Sequence, residues 1–226
     1  MVEKFGNRNA FWQALIFTVI VFGFGIMMGF FIEDHRAKYV NSNLLDSEIS
    51  LLDEQLTVNS IKDFNISCDA NVKNIFNFAD KVYEDALELE RYDGASTFSN
   101  QLIVLHKKYD LLRLTLWLEA IKIKKNCNSD FHIVTYLYEY KTEDVEKQAK
   151  QKYYSRILAQ LKSENREEVL LIPIAANMNL SSVDLTLSQY NITEFPAIIL
   201  NEERVITDFM SFEKINEMIL MNVSEQ

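Results

Sequence analysis

Twenty-three consecutive residues, Ala10 to Ile32, carry no charge and a single polar amide, Gln13. As a helix rising 1.5 Å per residue, the run spans ~34 Å, enough to cross the hydrocarbon core of a bilayer. Trp12 suits an interfacial anchor. The run is long for a cleaved leader, and Glu33-Asp34-His35-Arg36 follows it where a small-residue cleavage site would stand. The expectation is an uncleaved single-pass transmembrane helix over residues 10–32, behind a short flank of residues 1–9, with the lipid bilayer as its partner. Gly25-Ile-Met-Met-Gly29 is a small-xxx-small pattern that lets two such helices approach closely. Glycine is also common in membrane spans that pair with nothing, so self-association through this face stays one of two readings.

Charge says less about orientation. Lys4 and Arg8 flank one end of the span, Arg36 and Lys38 the other. The N-terminal amine and the acids Glu33 and Asp34 tip the balance toward an inside N-terminus, which makes the C-terminal part extracytoplasmic. Sequons at Asn65, Asn179, Asn191 and Asn222 are compatible with that side. The chain carries a net charge of −10, with no basic stripe to follow a phosphate backbone, so nucleic acid is not an expected partner. Past residue 32 the only glycine is Gly94, which removes the glycine-rich loops of the usual nucleotide sites.

Residues 42–126 contain no proline and read as helical, within a region taken as 33–126. Leu45, Ile49, Leu52 and Leu56 suggest a helix from about Asn43 to Val58. Val72, Ile75, Phe76, Ala79, Val82, Tyr83, Ala86 and Leu89 share one face of a helix over about 69–92. A third helix, about 97–125, carries a seam of Phe98, Leu102, Leu105, Tyr109, Leu112 and Leu116. Beside that seam runs a second stripe, Val104, Leu111, Leu114, Leu118 and Ile121, so this helix must be covered on two sides. Asp93-Gly94-Ala95-Ser96 joins the last two as an antiparallel hairpin, with Gly94 suited to a left-handed cap. The hairpin either packs on its neighbours or forms a coiled coil that also dimerises.

Cys68 precedes the second helix and Cys127 follows the third, so both fall at the open end of the hairpin. A bridge between them would close a loop of about 60 residues and contribute ~4 kcal/mol in the chain-entropy model. Two unrelated buried thiols are the alternative. A catalytic pair is disfavoured because neither cysteine lies in a C-x-x-C motif.

From Asp130 the pattern changes to β-α-β-α-β-β-α. Phe131–Tyr138 is a strand of β-branched and aromatic residues. Thr142 caps a helix to about Glu164, with Glu143 and Asp144 in its first turn. Glu168–Ala175 is an apolar strand buried on both faces. Ser181-Ser-Val-Asp184 opens a short helix like a capping box, ending near Tyr190. Pro196 then stands at the mouth of the strand Ala197–Leu200, an unusual place for a residue that cannot donate to a ladder. A turn at Asn201-Glu-Glu203, a strand over Arg204–Phe209 and a helix from Ser211 to about Met221 complete an α+β chain.

Residues 130–226 resemble a thioredoxin-like domain. The motif is Tyr190-x-Ile192-x-x-x-Pro196-Ala-Ile-Ile-Leu200, with the aromatic strand Val134-Thr-Tyr-Leu-Tyr-Glu-Tyr140 before the first helix. The resemblance implies that Pro196 is cis, and that Glu194, Phe195, Tyr140 and Lys141 border a groove for extended peptide. Where the family carries Cys-x-x-Cys this chain has Lys141-Thr142-Glu143-Asp144, so thiol–disulfide exchange at that position is not expected. His35, His106 and His132 are scattered, and none has the i, i+4 partner that a metal-binding helix face needs. No cofactor, metal or enzymatic activity is expected. The function that follows is a membrane-anchored, redox-inactive module that binds an unidentified protein or a second copy of itself. Two alternatives are a structural coiled-coil membrane protein with an inert C-terminal domain, and an atypical oxidoreductase using Cys68 and Cys127.

Overall fold

The computed structural model describes residues 10–32, 34, 49, 52, 53, 56, 67–90 and 99–221. The chain divides into two compact units, residues 1–50 and 51–226. In the first, α1 (Ala10–Ile32) is a continuous apolar helix, long and apolar enough to cross a membrane. Trp12, Gly25 and Gly29 lie along it, and a Cβ on either glycine would meet nothing within 4 Å. The expected helix over 43–58 falls mostly outside the described residues, and the Asp93–Ser96 turn with Gly94 lies wholly outside them.

The second unit holds α2 (Cys68–Glu90), α3 (Ser99–Cys127), β1 (His132–Tyr138), α4 (Val145–Glu164), β2 (Val169–Ala175), α5 (Ser181–Ser188), β3 (Ala197–Leu200), β4 (Arg204–Ile206) and α6 (Phe212–Met221). The four strands form one mixed sheet in the order β2-β1-β3-β4. β1 and β2 are parallel, His132 opposite Val169, while β3 runs antiparallel to both β1 and β4. Side chains alternate across the sheet. Val134 and Tyr136 join Val169, Leu171, Ile198 and Leu200 in one core with Tyr154, Leu158 and Leu161 of α4 and with Ile215 and Ile219 of α6. Ile133, Leu137, Leu170, Ile172 and Ile174 point the other way and are fully buried beneath α2 and α3. The hairpin is therefore a layer of the fold: it shares a core with the sheet inside one compact unit, although composition changes at residue 130.

The α2 face is buried as its spacing implies, with Ile75, Ala79, Val82, Ala86 and Leu89 inside. In α3 the seam Leu102, Leu105, Tyr109, Leu112 and Leu116 is buried, but the second stripe is covered only in part: Leu114 is buried and Leu111 and Ile121 half-buried, whereas Val104 is 53% exposed and Leu118 42%. The buried arc widens instead from the seam through His106, Asp110, Arg113, Trp117 and Ala120. Those positions follow one another at helical spacing on the flank of the seam that meets the sheet, whereas Val104 and Leu118 fall on the far side.

β2 is an edge strand, and its outer rim is closed chemically. His132 N–H donates to Glu168 C=O and Ala176 N–H to Tyr138 C=O, so the even-numbered residues of this stretch face β1. Among the odd ones, Val169 N–H donates to Asn165 C=O (2.9 Å), Pro173 has no N–H, and Ala175 N–H donates to Asp110 Oδ1 (3.1 Å). Proline is tolerated in this strand because its missing donor points outward. Three local expectations shift. Asp144, not Thr142, caps α4, accepting from Glu146 N–H (2.9 Å) and Lys147 N–H (3.1 Å). Ser181 is already helical and the cap is Leu180, without a side-chain bond, so no capping box forms. β4 stops at Ile206, three residues before Phe209.

Candidate functional site

In open α/β sheets, ligands collect beyond the carboxyl ends of the parallel strands. Here that end gathers the turn after β1, the loop after β2 and the start of β3. Leu137 pairs with Ala197, so one step further Pro196 lies level with Tyr138. Pro196 is buried, Phe195 half-buried and Glu194 exposed, and the Phe195–Pro196 peptide is cis. The sheet thus brings Glu194, Phe195 and Pro196 to the same end as Tyr140 and Lys141.

The turn of residues 139–144 is held from two directions. Gln151 of α4 accepts from Glu139 N–H through Oε1 (2.8 Å) and donates to Glu139 C=O through Nε2 (3.0 Å). Asn177, just past β2, accepts from Tyr140 N–H (2.7 Å) and donates to Tyr140 C=O (2.9 Å). These reciprocal pairs satisfy four backbone groups that the end of β1 would otherwise leave open. Lys141 adopts a left-handed φ of 49°, which costs about 1 kcal/mol for a residue with a Cβ. Its ammonium lies 5.0 Å from the centroid of the Tyr140 ring. Sequence proximity pairs Lys141 with Glu139, Glu143 and Asp144, but Glu139 instead bonds Lys147 at 2.6 Å. Lys147 has this geometry because it sits one turn into α4, facing back over the strand end.

Behind this turn, α3 supplies polar groups that sequence reasoning missed. The His106 ring centroid is 4.3 Å from that of Tyr140. One turn on, Asp110 stands at i+4, a partner for His106 that a search for metal-ligand pairs passes over. Asp110 is 1% exposed and bonds the rim of β2 through Ala175 N–H. Arg113 Nη1 donates to the same oxygen at 3.4 Å, and Oδ2 is buried without a hydrogen-bond partner. Burial pushes the Asp110 carboxyl up to about 6, and Arg113, Ala175 N–H and His106 only partly counter it. The row has a pattern, three polar residues at i, i+4 and i+7 in a helix that must be covered on two sides, but the sequence does not say which face meets the sheet.

The two cysteines form a disulfide, Cα to Cα 5.5 Å, tying the start of α2 to the end of α3. It precedes the first residue of β1, so the length of that strand, ~20 Å, separates it from the Pro196 end. Among the described residues no group of three or more His, Cys, Asp or Glu could hold a metal ion. What the Pro196 end offers a partner is an acid, a cation and two aromatic rings, with no cysteine among them. No protein-family model matches the sequence, and no curated protein matches it.

Proposed function

We propose that the chain is a membrane-anchored, redox-inactive, thioredoxin-like protein that binds another protein through the face around Phe195 and Pro196. The observation that carries the reading is the meeting of Lys141 and Pro196 at one end of the sheet. The element order β1-α4-β2-α5-β3-β4-α6 and the strand order β2-β1-β3-β4 support the resemblance. The cysteine-free turn supports binding over thiol exchange, since Lys141 has no exchangeable sulfur. The disulfide between Cys68 and Cys127 supports an extracytoplasmic side for residues 51–226, because such bonds persist in oxidising compartments. Asn179 and Asn191 are both exposed, so the sequons there are accessible.

Crosslinking in intact membranes, with the wild type beside Phe195→Asp, tests the reading. A captured protein, or a second copy, that is lost in the variant assigns the working surface. Equal capture by both would move the surface elsewhere, and no capture at all would sink the reading. Reduction of insulin that disappears when Cys68 or Cys127 is replaced would instead favour the oxidoreductase.

A further inference from the structure

A pocket of about 360 Å³ opens beside the rim of β2, between α2 and α4. Its volume falls in the range of sites for small molecules. Tyr136 and Tyr138, stacked with centroids 5.7 Å apart, form one wall with Leu171 and Pro173. Tyr83 and Leu87 of α2 and Leu158 and Ala159 of α4 contribute apolar surface. Among the described residues its lining holds two cations, Arg113 and Lys152, and no acid, in a chain whose net charge is −10. Local inversion of charge against so acidic a background marks the place where an anion is best tolerated.

Arg113 is the unusual element. It is 6% exposed, and buried arginines are normally matched by a carboxylate in two parallel bonds. Here the one bond to Asp110 is long, 3.4 Å, and uses an oxygen already shared with Ala175 N–H. Among the described residues its other guanidinium N–H groups meet no acceptor, and the side chain lines the pocket. The charge of Arg113 is met from behind by Asp110 alone, through a single long bond, and burial raises that carboxyl to about 6. An added strand is a poor occupant: of the four outward positions on β2, Val169 and Ala175 have spent their N–H groups and Pro173 has none.

We propose that this pocket binds a small amphipathic anion, with its carboxylate on Arg113 and a flat apolar body against Tyr136, Tyr138 and Leu171. Arg113 supplies the bidentate fork and Lys152 adds charge at the mouth. The pocket opens at the β2 edge while Pro196 lies beyond β1, at the start of β3, so the proposal stands whether or not the Pro196 face binds a protein.

The test is a ligand-observed NMR titration of the full-length chain in detergent, using 3-phenylpropionate, its neutral amide and inorganic phosphate as probes. The acid should bind saturably and at least about tenfold more tightly than the amide or phosphate. Arg113→Gln should weaken it at least about tenfold. Because that variant strands Asp110 in the core, Ala159→Trp is the second arm: it fills the pocket from an exposed helix position and should abolish binding with an unchanged near-UV spectrum. Equal binding of acid and amide would overturn the role of Arg113. Phosphate matching the acid would overturn the apolar half of the site. Unchanged affinity in Ala159→Trp, or no saturable binding up to about 10 mM, would overturn the proposal itself.

Discussion

Asp110→Asn should remove a pH dependence of stability that runs opposite to that of most carboxylates. In the folded chain this carboxyl titrates at about 6 in place of 3.8. A folded-state pKa above the unfolded one means that the native state holds the proton longer. The stabilisation is therefore fully present below pH ~4 and is lost as pH rises through ~6. At roughly 1.4 kcal/mol per pH unit, the interval is worth about 3 kcal/mol. The cause is desolvation: Asp110 is 1% exposed and has a single long bond to Arg113, so the anion is poorly compensated. Denaturant unfolding of the wild type and Asp110→Asn from pH 4 to 7, followed by near-UV circular dichroism, reads the difference. Wild-type stability relative to the variant should fall by about 2.4 kcal/mol across that range, most of the full interval. A difference that stays flat would show that Asp110 is ionised throughout, and a difference rising with pH would reverse the assignment of desolvation as the dominant cause.

Other predictions follow the same geometry. Labelling of the non-reduced, denatured chain should find no reactive thiol, and Cys68→Ser with Cys127→Ser should lower stability by ~4 kcal/mol for a bridge spanning 59 positions. Asn201 accepts from Ile133 N–H (2.9 Å) and Lys124 Nζ (2.8 Å), so Asn201→Ala should cost ~2 kcal/mol in denaturant unfolding by stranding both donors. Asp144→Ala should cost ~1 kcal/mol as a lost cap, while Thr142→Ala should change little. A reversed order between those last two would return the cap to Thr142.

The elements themselves were legible because their periods differ. The 3.6-residue stripe of α2, the alternation of β1 and the apolar run of β2 each identify one element type. Boundaries moved where two residues compete for one role: Asp144 outbids Thr142 as the α4 cap because its carboxylate reaches two N–H groups. What stayed hidden was tertiary. Pro173 signals an edge strand only once the strand order is known. Val104 and Leu118 look like a second buried stripe because hydrophobicity alone does not say which flank of a seam meets the sheet. His106, Asp110 and Arg113 look like solvated surface for the same reason. The cis peptide at Pro196 was legible from its motif, whereas the clasp of Tyr140 by Asn177 joins residues 37 apart and has no local signature.

The central claim is that the Phe195–Pro196 face is the working surface. A photo-crosslinking residue placed at Phe195 in the membrane-embedded chain tests it most directly, beside a control at Leu185, which is 68% exposed on α5. The account predicts a discrete adduct from position 195 that the control lacks. Identical adduct patterns from both positions, or none from position 195, would contradict it.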